Sequence, residues 1–316
     1  MFEMIPTKAR SLNARLVKAF DDGITNGIEE AGCSRIMDVC AVESSDGGEN
    51  VYLLASEQRG LFRRGPDGAL RVESPKAMEV SVTDEERGVI VRVPTEDLRN
   101  DKIGQYVLVA RDLGVRAASD PIIALEELAE KGDSLNGVGG VPFFGTHKAD
   151  ITDNGSATYT NKIVKASGLT FDTFGEGLQA MMKFPSATAG KAVGSRPSHL
   201  LIPADYYGIA KDITKNSHPT GLQGATNKWA DEGIEIIVVP NWTRDIWMLV
   251  DARSKIKRPF VFQERMKITF GPSELNGGID TPQSTAWQRG HYDWVCGGEH
   301  GVGFLYPETA ALFVKS

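Results

Sequence analysis

The sequence predicts an α+β protein, and three stretches of the chain carry that prediction. The last third reads as sheet: residues 259–265 and 291–304 are short runs of β-branched and aromatic residues punctuated by Gly and Pro. Residues 103–131 read as helix, with Ile103, Tyr106, Val107, Ala110, Leu113 and Ala117 at helical spacing and Ile122, Leu125, Leu128 and Ala129 resuming it beyond Pro121. Between these, strands and helices alternate over residues 172–251.

Taken in order, residues 1–30 form an amphipathic helix. Leu12, Leu16, Val17 and Phe20 make its apolar stripe, and Arg10, Arg15 and Lys18 lie on the other side. Such a helix has little to bury against itself and must dock on something. Glu43 to Asn50 is a turn by composition. Residues 51–80 form an extended, hairpin-like arm whose tip holds Arg63-Arg64-Gly65-Pro66-Asp67-Gly68, since Pro presets φ and Gly accepts positive φ. A two-stranded arm is marginal alone and leans on a neighbour. Val89 to Val93 is a strand. Pro121, directly after Ser119-Asp120, fits either one kinked long helix or a new helix with Asp120 as N-cap. A continuous helix would span roughly 43 Å. Residues 132–168, rich in Gly, Asn, Asp, Ser and Thr, mark a domain boundary. A helix over 172–184, a strand at His199–Ile202, a helix near 204–214 and strands at 234–239 and 246–251 make a compact α/β unit of a size that can hold its own core. Residues 255–316 return to sheet, and there is no internal repeat.

The totals bound the function. At 316 residues, 41% hydrophobic and 24% charged, the chain has the composition of a soluble globular protein with a full-sized core. No run approaches the roughly 18 apolar residues that span a bilayer, and no basic region followed by an apolar core marks a secretory signal. Three cysteines, an odd count, suit reduced thiols in a cytoplasmic setting. The net charge of −7 argues against a dedicated nucleic-acid binder. The charge is uneven: residues 1–150 hold 18 Lys+Arg against 26 Asp+Glu, and the remainder 17 against 16. Arg253, Lys255, Lys257, Arg258, Arg265 and Lys267 cluster as a locally basic strand, able to face an acidic neighbour or DNA or to lie as a solvated charged face.

Catalytic and metal motifs find no support. The five histidines (His147, His199, His218, His291 and His300) show no metal-ligand spacing, although Glu299-His300 could form one edge of a site. Cys33 and Cys40 are too far apart for a Cys-x₂₋₄-Cys clip. Gly297-Gly298-Glu299-His300-Gly301-Val302-Gly303 lacks the Gly-Lys-Ser/Thr ending of a phosphate loop, and a tight turn between two strands explains its glycines. The sequence thus implies no catalytic, cofactor-binding or metal residues.

Several of these same stretches carry a resemblance. Lys257-Arg258-Pro259-Phe260-Val261-Phe262-Gln263-Glu264-Arg265 resembles the KPFIFQER segment of Mu-type major head proteins, the capsid subunits of tailed bacteriophages. Gly301-Val302-Gly303-Phe304, the run from Val91 through Glu96-Asp97-Leu98 to Gly104-Gln105-Tyr106, and Phe143-Phe144-Gly145-Thr146-His147 are similar to that family as well, with Lys148 where the family has Pro. The resemblance implies the Hong Kong 97-type phage capsid fold: an N-terminal arm (1–50), an extended loop lying over a neighbour (51–80), a peripheral domain with a long spine helix (81–164), an axial domain (165–251) and a C-terminal sheet completing the peripheral domain (252–316).

The implied function is that of a structural subunit. Copies would assemble in the host bacterial cytoplasm into pentamers and hexamers of an icosahedral head. That head would enclose double-stranded DNA without sequence-specific binding and without a membrane, with portal, scaffold and decoration proteins as partners. Because the chain starts at Met1 with no long coiled coil ahead of the arm, the family pattern implies that any scaffold and protease are separate gene products. Arg59, Arg63 and Arg64 on the loop are expected to pair with a neighbour's acidic residues such as Glu126 or Glu127. Two rivals stand beside this reading: a nanocompartment shell of the same fold that encloses protein cargo, and a soluble enzyme built on residues 199–251.

Overall fold

The computed structural model describes residues 4–30, 34–55, 77–100, 102–148, 157–185, 194–217, 227–230, 232–273 and 290–316. The chain runs α1 (Met4–Glu30), β1 (Cys40–Ser44), β2 (Glu49–Ala55), β3 (Ala77–Thr83), β4 (Glu85–Pro94), α2 (Thr95–Arg99), α3 (Gly104–Glu130), β5 (Thr146–Lys148), β6 (Thr158–Thr160) and β7 (Lys162–Lys165). It continues through α4 (Phe171–Lys183), β8 (His199–Ile202), α5 (Tyr207–Thr214), β9 (Glu235–Val238), β10 (Ile246–Val250), β11 (Phe260–Pro272), β12 (His291–Phe304) and β13 (Ala310–Lys315).

Two sheets organise these elements. The first has the order β1-β11-β12-β4 and the second β7-β13-β10-β8-β9, while β2 and β3, among the described residues, pair only with each other. In the second sheet every residue of β10 is buried, as the unbroken run Ile246-Trp247-Met248-Leu249-Val250 demands. Its alternate side chains serve two cores. Ile246, Met248 and Val250 pack with Phe260, Phe262, Phe304 and the α3 residues Ile122, Leu125 and Ala129. Trp247 and Leu249 face the other way, onto Phe174, Leu178 and Met181 of α4 and Ala210 and Ile213 of α5. Trp247 stacks on Phe313 with ring centroids 3.8 Å apart. The helices and strands of residues 172–251 thus pack together around this sheet, and α4 begins on a reciprocal cap between Thr170 and Thr173.

Four expectations need correction. The C-terminal segment does not stay with β11 and β12: β13 crosses to the second sheet, between β7 and β10. Its small and apolar residues Ala310, Ala311, Leu312 and Phe313 fit a strand buried on both faces, which the first sheet's exposed edge could not provide. Residues 40–44 are no arm, because β1 pairs in parallel with β11, from Cys40 opposite Phe260 to Ser44 opposite Glu264. The glycines of 297–303 lie inside one continuous strand and make no turn. Two of them are small because the β2–β3 hairpin lies against them: a Cβ on Gly301 would stand 2.6 Å from the Thr83 carbonyl oxygen, and one on Gly303 2.4 Å from the Val82 side chain. Finally, the N-terminal helix docks on its own chain.

That docking is close. Leu12, Leu16 and Phe20 bury against Ala110 and the β12 face of Tyr292, Trp294 and Cys296. Phe20 stacks on Phe270 at 5.2 Å, and Trp294 Nε1 donates to Asn13 Oδ1 at 2.9 Å. α1 and α3 run parallel, since Gly23 faces Arg111 and Gly114 while Gly27 faces Val115 and Ala118. A Cβ on Gly23 would lie 2.3 Å from the Arg111 carbonyl oxygen, and one on Gly114 2.3 Å from that of Phe20. The backbones therefore touch. α3 itself runs unbroken through Pro121, which decides between the two readings of that residue. A proline inside a helix costs about 3 kcal/mol, here offset by packing of Ile122 and Leu125 directly after it.

Gly114→Ala is expected to lower stability by at least about 2 kcal/mol, because the added methyl meets rigid backbone. Gly208→Ala, in α5 with nothing within 4 Å of the new carbon, is expected to be neutral or mildly stabilising. Urea unfolding of the two variants checks the contrast; equal shifts would refute the close-approach account.

Candidate assembly surfaces

The β2–β3 hairpin stands off the first sheet, and one glutamine holds its base. Gln263 is fully buried although it is amide-bearing. Its Nε2 donates to the Val82 carbonyl at 2.9 Å and to Asp84 Oδ1 at 2.6 Å, and its Oε1 accepts from the Tyr52 hydroxyl at 2.8 Å. Asp84 Oδ2 in turn accepts from Ser45 Oγ at 2.6 Å. Below this network Leu54 and Val82 pack on Ala41, Val261 and Leu305, which gives the hairpin a small core of its own. Desolvation, opposed by Asn50, pushes the Tyr52 hydroxyl pKa up, which keeps it a donor. Sequence reading took Gln263 only as part of a resemblance; a polar residue between Phe262 and Glu264 in a buried strand was the signal for it.

A second polar network fixes the far end of α3 to the α/β unit. Arg244 grips Asp133 with two bonds, Nη1 to Oδ1 at 2.9 Å and Nη2 to Oδ2 at 2.7 Å, and donates to the Glu130 carbonyl at 2.6 Å. Glu130 Oε1 accepts from the backbone N–H groups of Thr243 and Arg244, both at 3.1 Å. Trp242 Nε1 donates to the Glu126 carbonyl at 2.9 Å, and Lys162 adds a 3.0 Å ion pair to Asp133. The bidentate Arg244 bond holds the Asp133 carboxyl down to about 2, with burial opposing and Lys162 assisting.

The predicted contact residues divide. Arg59, Arg63 and Arg64 lie outside the described residues. Glu126 is 1% exposed and bonded within its own chain, its Oε2 accepting from Asn241 Nδ2 at 2.6 Å, so it offers nothing to a neighbour. Glu127 is exposed beside Lys131, 3.0 Å away, on the rim of a groove of about 270 Å³ between the hairpin base, β12 and the last turns of α3.

The basic strand is mostly not a strand. Arg253, Lys255, Lys257 and Arg258 sit in the loop before β11, and Arg265 and Lys267 sit within it. Arg253 is paired with Asp251 at 2.7 Å and Arg265 with Glu299 at 2.5 Å. Arg258 donates to the carbonyls of Asp38 and Cys40, closing the turn that leads into β1. Lys255 and Lys267 remain exposed.

Other candidate chemistry resolves into packing. His300 is buried, 3.3 Å from the Asp120 carboxylate, and His300 and then Arg87 hold that carboxyl below its ordinary range against the effect of burial. Among the described residues no group of three or more His, Cys, Asp or Glu side chains could hold a metal ion. Cys40 and Cys296 are free and buried. No helix among the described residues is long and apolar enough to cross a membrane.

No family model and no curated protein sequence matches the chain. Solved structures do. The chain is similar over 98% of its length to 76% of the subunit in the procapsid of bacteriophage JBD30, at 17% identity and a TM-score of 0.56. It is similar over 89% of its length to 88% of the capsid subunit of cyanophage P-SCSP1u, at 13% identity and a TM-score of 0.55. A virus-like particle from Pyrococcus furiosus matches 95% of this chain with 98% of its own, at 13% identity and a TM-score of 0.50. The fold is thus the α+β Hong Kong 97-type capsid fold, with α3 as its long spine helix.

Gln263→Leu is expected to cost about 2–3 kcal/mol, because it strands Asp84, the Val82 carbonyl and the Tyr52 hydroxyl in a buried site. Amide exchange in residues 49–55 and 77–83 should quicken more than in β12; a uniform change across the chain would count against a local role. The Asp133 pKa is lowered, so its contribution is present above the unfolded value near 3.9 and is lost as the pH falls from about 4 through about 2. The stability gap between wild type and Asp133→Asn should therefore narrow across that window in denaturant titrations. A gap that stays constant from about pH 6 to about pH 2 would exclude the latch as its source.

Proposed function

We propose that the protein is a major capsid subunit that self-assembles into pentamers and hexamers of an icosahedral head enclosing double-stranded DNA. The observation that carries this is the likeness of 98% and 89% of the chain to the subunits of two phage capsids. Physically, the hairpin has a pinned base, and its outer-face residues Val51 and Leu53 remain more than half exposed. An arm built this way is completed by a neighbouring copy, through strand pairing along its edge and charge pairs that set register. Repeated head-to-tail, such a contact closes into rings.

Within this reading Arg59, Arg63 and Arg64 of one copy meet Glu127 on the groove rim of the next. The particle is a virion head built in the host cytoplasm, with portal, scaffold and decoration proteins completing it. The Mu-type resemblance of Pro259–Arg265 belongs to the same reading. A second reading, a shell that encloses protein, is favoured by the likeness to the Pyrococcus furiosus particle.

Electron microscopy of the purified chain is expected to show closed shells or ring-shaped capsomers, and Arg63→Glu with Arg64→Glu to lower their yield. A monodisperse small oligomer would overturn the shell reading. Shells made in a host with the other head genes, and found filled with protein and free of DNA, would favour the second reading.

A further inference from the structure

The loop before β11 holds a part that its own subunit does not use. Two arginines build that loop. Arg253 is bonded to Asp251 at 2.7 Å, and Arg258 donates to the carbonyl oxygens of Ser254 at 3.3 Å and Cys40 at 3.0 Å. Ser254 Oγ accepts from the backbone N–H groups of Ile256 and Lys257 at 3.2 and 3.1 Å, which closes a tight turn. Fixed in this way, the turn lifts Lys255 and Ile256 off the body. Ile256 is 78% exposed, more than any other large apolar side chain among the described residues. Around it Arg35, Arg253, Lys255, Lys257 and Arg258 outnumber Asp38, Glu235 and Asp251. An isoleucine held out on an ordered turn between two lysines adds nothing to its own core.

The hairpin offers the opposite surface. The β2–β3 register puts Glu49, Val51 and Leu53 on its outer face, opposite Thr83, Ser81 and Glu79, while Leu54 and Val82 turn in to its small core. Val51 is 56% and Leu53 61% exposed. Exposed Glu49 and Glu79 stand at the two ends of that apolar pair, about 13 Å apart along the strand. Residues 40–55 and 77–86 contain no Lys or Arg, and exposed Glu43, Asp46, Glu85 and Glu86 extend the acidic surface at the hairpin's base. The arginines that reach this end of the first sheet are already bonded, Arg87 to Glu85 and Asp120 and Arg265 to Glu299. Glu49 and Glu79 form no ion pair among the described residues. Within one copy the loop and the hairpin face both stay exposed, so they do not meet there.

We infer that loop 253–258 of one copy docks on the outer face of a second copy's β2–β3 hairpin, Ile256 against Val51 and Leu53, with the flanking lysines toward Glu49 and Glu79; this rests on the capsid reading above. Burial of three large apolar side chains supplies the attraction, and the unlike charges on either side fix where the isoleucine seats. The two surfaces differ, so the contact is head-to-tail and can close into a ring. It uses the face of the hairpin and leaves its strand edge for pairing.

Proximity and side chain are tested separately. Copies carrying Leu53→Cys alone and copies carrying Ile256→Cys alone are mixed, assembled and oxidised, with wild type setting the background from its own cysteines. The mixture should give a covalent dimer well above either variant by itself. A chain carrying both changes should give a ladder of multimers that ends at the size of the capsomer. Shells that form yet give no such products, or a dimer from Ile256→Cys alone, overturn the inference and leave the capsid reading intact. Wild-type chains that form no shells remove the capsid reading, and the inference with it. Ile256→Asp should raise the subunit concentration needed for assembly at least about tenfold, as loss of an apolar anchor does. Its melting temperature should stay that of wild type, because the residue is exposed. Assembly of Ile256→Asp at the wild-type concentration overturns the assignment.

Discussion

The helix Gly104–Glu130 is held at its two ends by different forces, and the rest of the fold is arranged around that difference. Along its first half it meets α1 backbone to backbone, with glycine against carbonyl oxygen on both helices. That contact is dry, shape-dependent and intolerant of a single methyl group. At its far end Glu126, Glu130 and Asp133 grip the segment Asn241–Arg244 through hydrogen bonds and a bidentate ion pair. This second contact is directional and depends on protonation. A rod about 40 Å long, fixed at one end by packing and at the other by charge, sets the position of the first sheet relative to the second.

The two sheets share a core for a related reason. β10 and β13 are buried on both faces, so each contributes alternate residues to the spine side and to the α4–α5 side. Phe143, stacked on Phe304 at 4.3 Å, ties the segment after α3 into the same core. A body built this way resists bending between its halves. The hairpin stands apart from it, its base pinned by Gln263 while Val51 and Leu53 on its outer face stay exposed.

Much of this was legible in the chain. The stripe Leu12, Leu16 and Phe20, the long helical run across residues 103–131 and the unbroken apolar strand 246–250 each follow from local periodicity. The candidate surfaces were less so. Glu126 and Glu127 are neighbours in sequence, yet one is interior and one exposed, because a helix turns by about 100° per residue and Asn241 and Trp242 cover only one of those directions. The cluster Arg253–Lys267 looked like one basic strand. It is a loop and a strand whose arginines are matched by Asp251 and Glu299, the latter far from Arg265 in sequence.

By itself the sequence determined the elements and the kind of surface each could offer, since side-chain periodicity and backbone preference act over a few residues. Only the tertiary structure decided which elements share a sheet, that β13 leaves the strands beside it in the chain, and that Gly301 and Gly303 yield to a crossing hairpin and not to a turn. It also decided which charges are used up inside the subunit. Those outcomes depend on contacts between residues far apart in the chain, where the gain comes from burying surface and satisfying polar groups in three dimensions, and no local pattern records them.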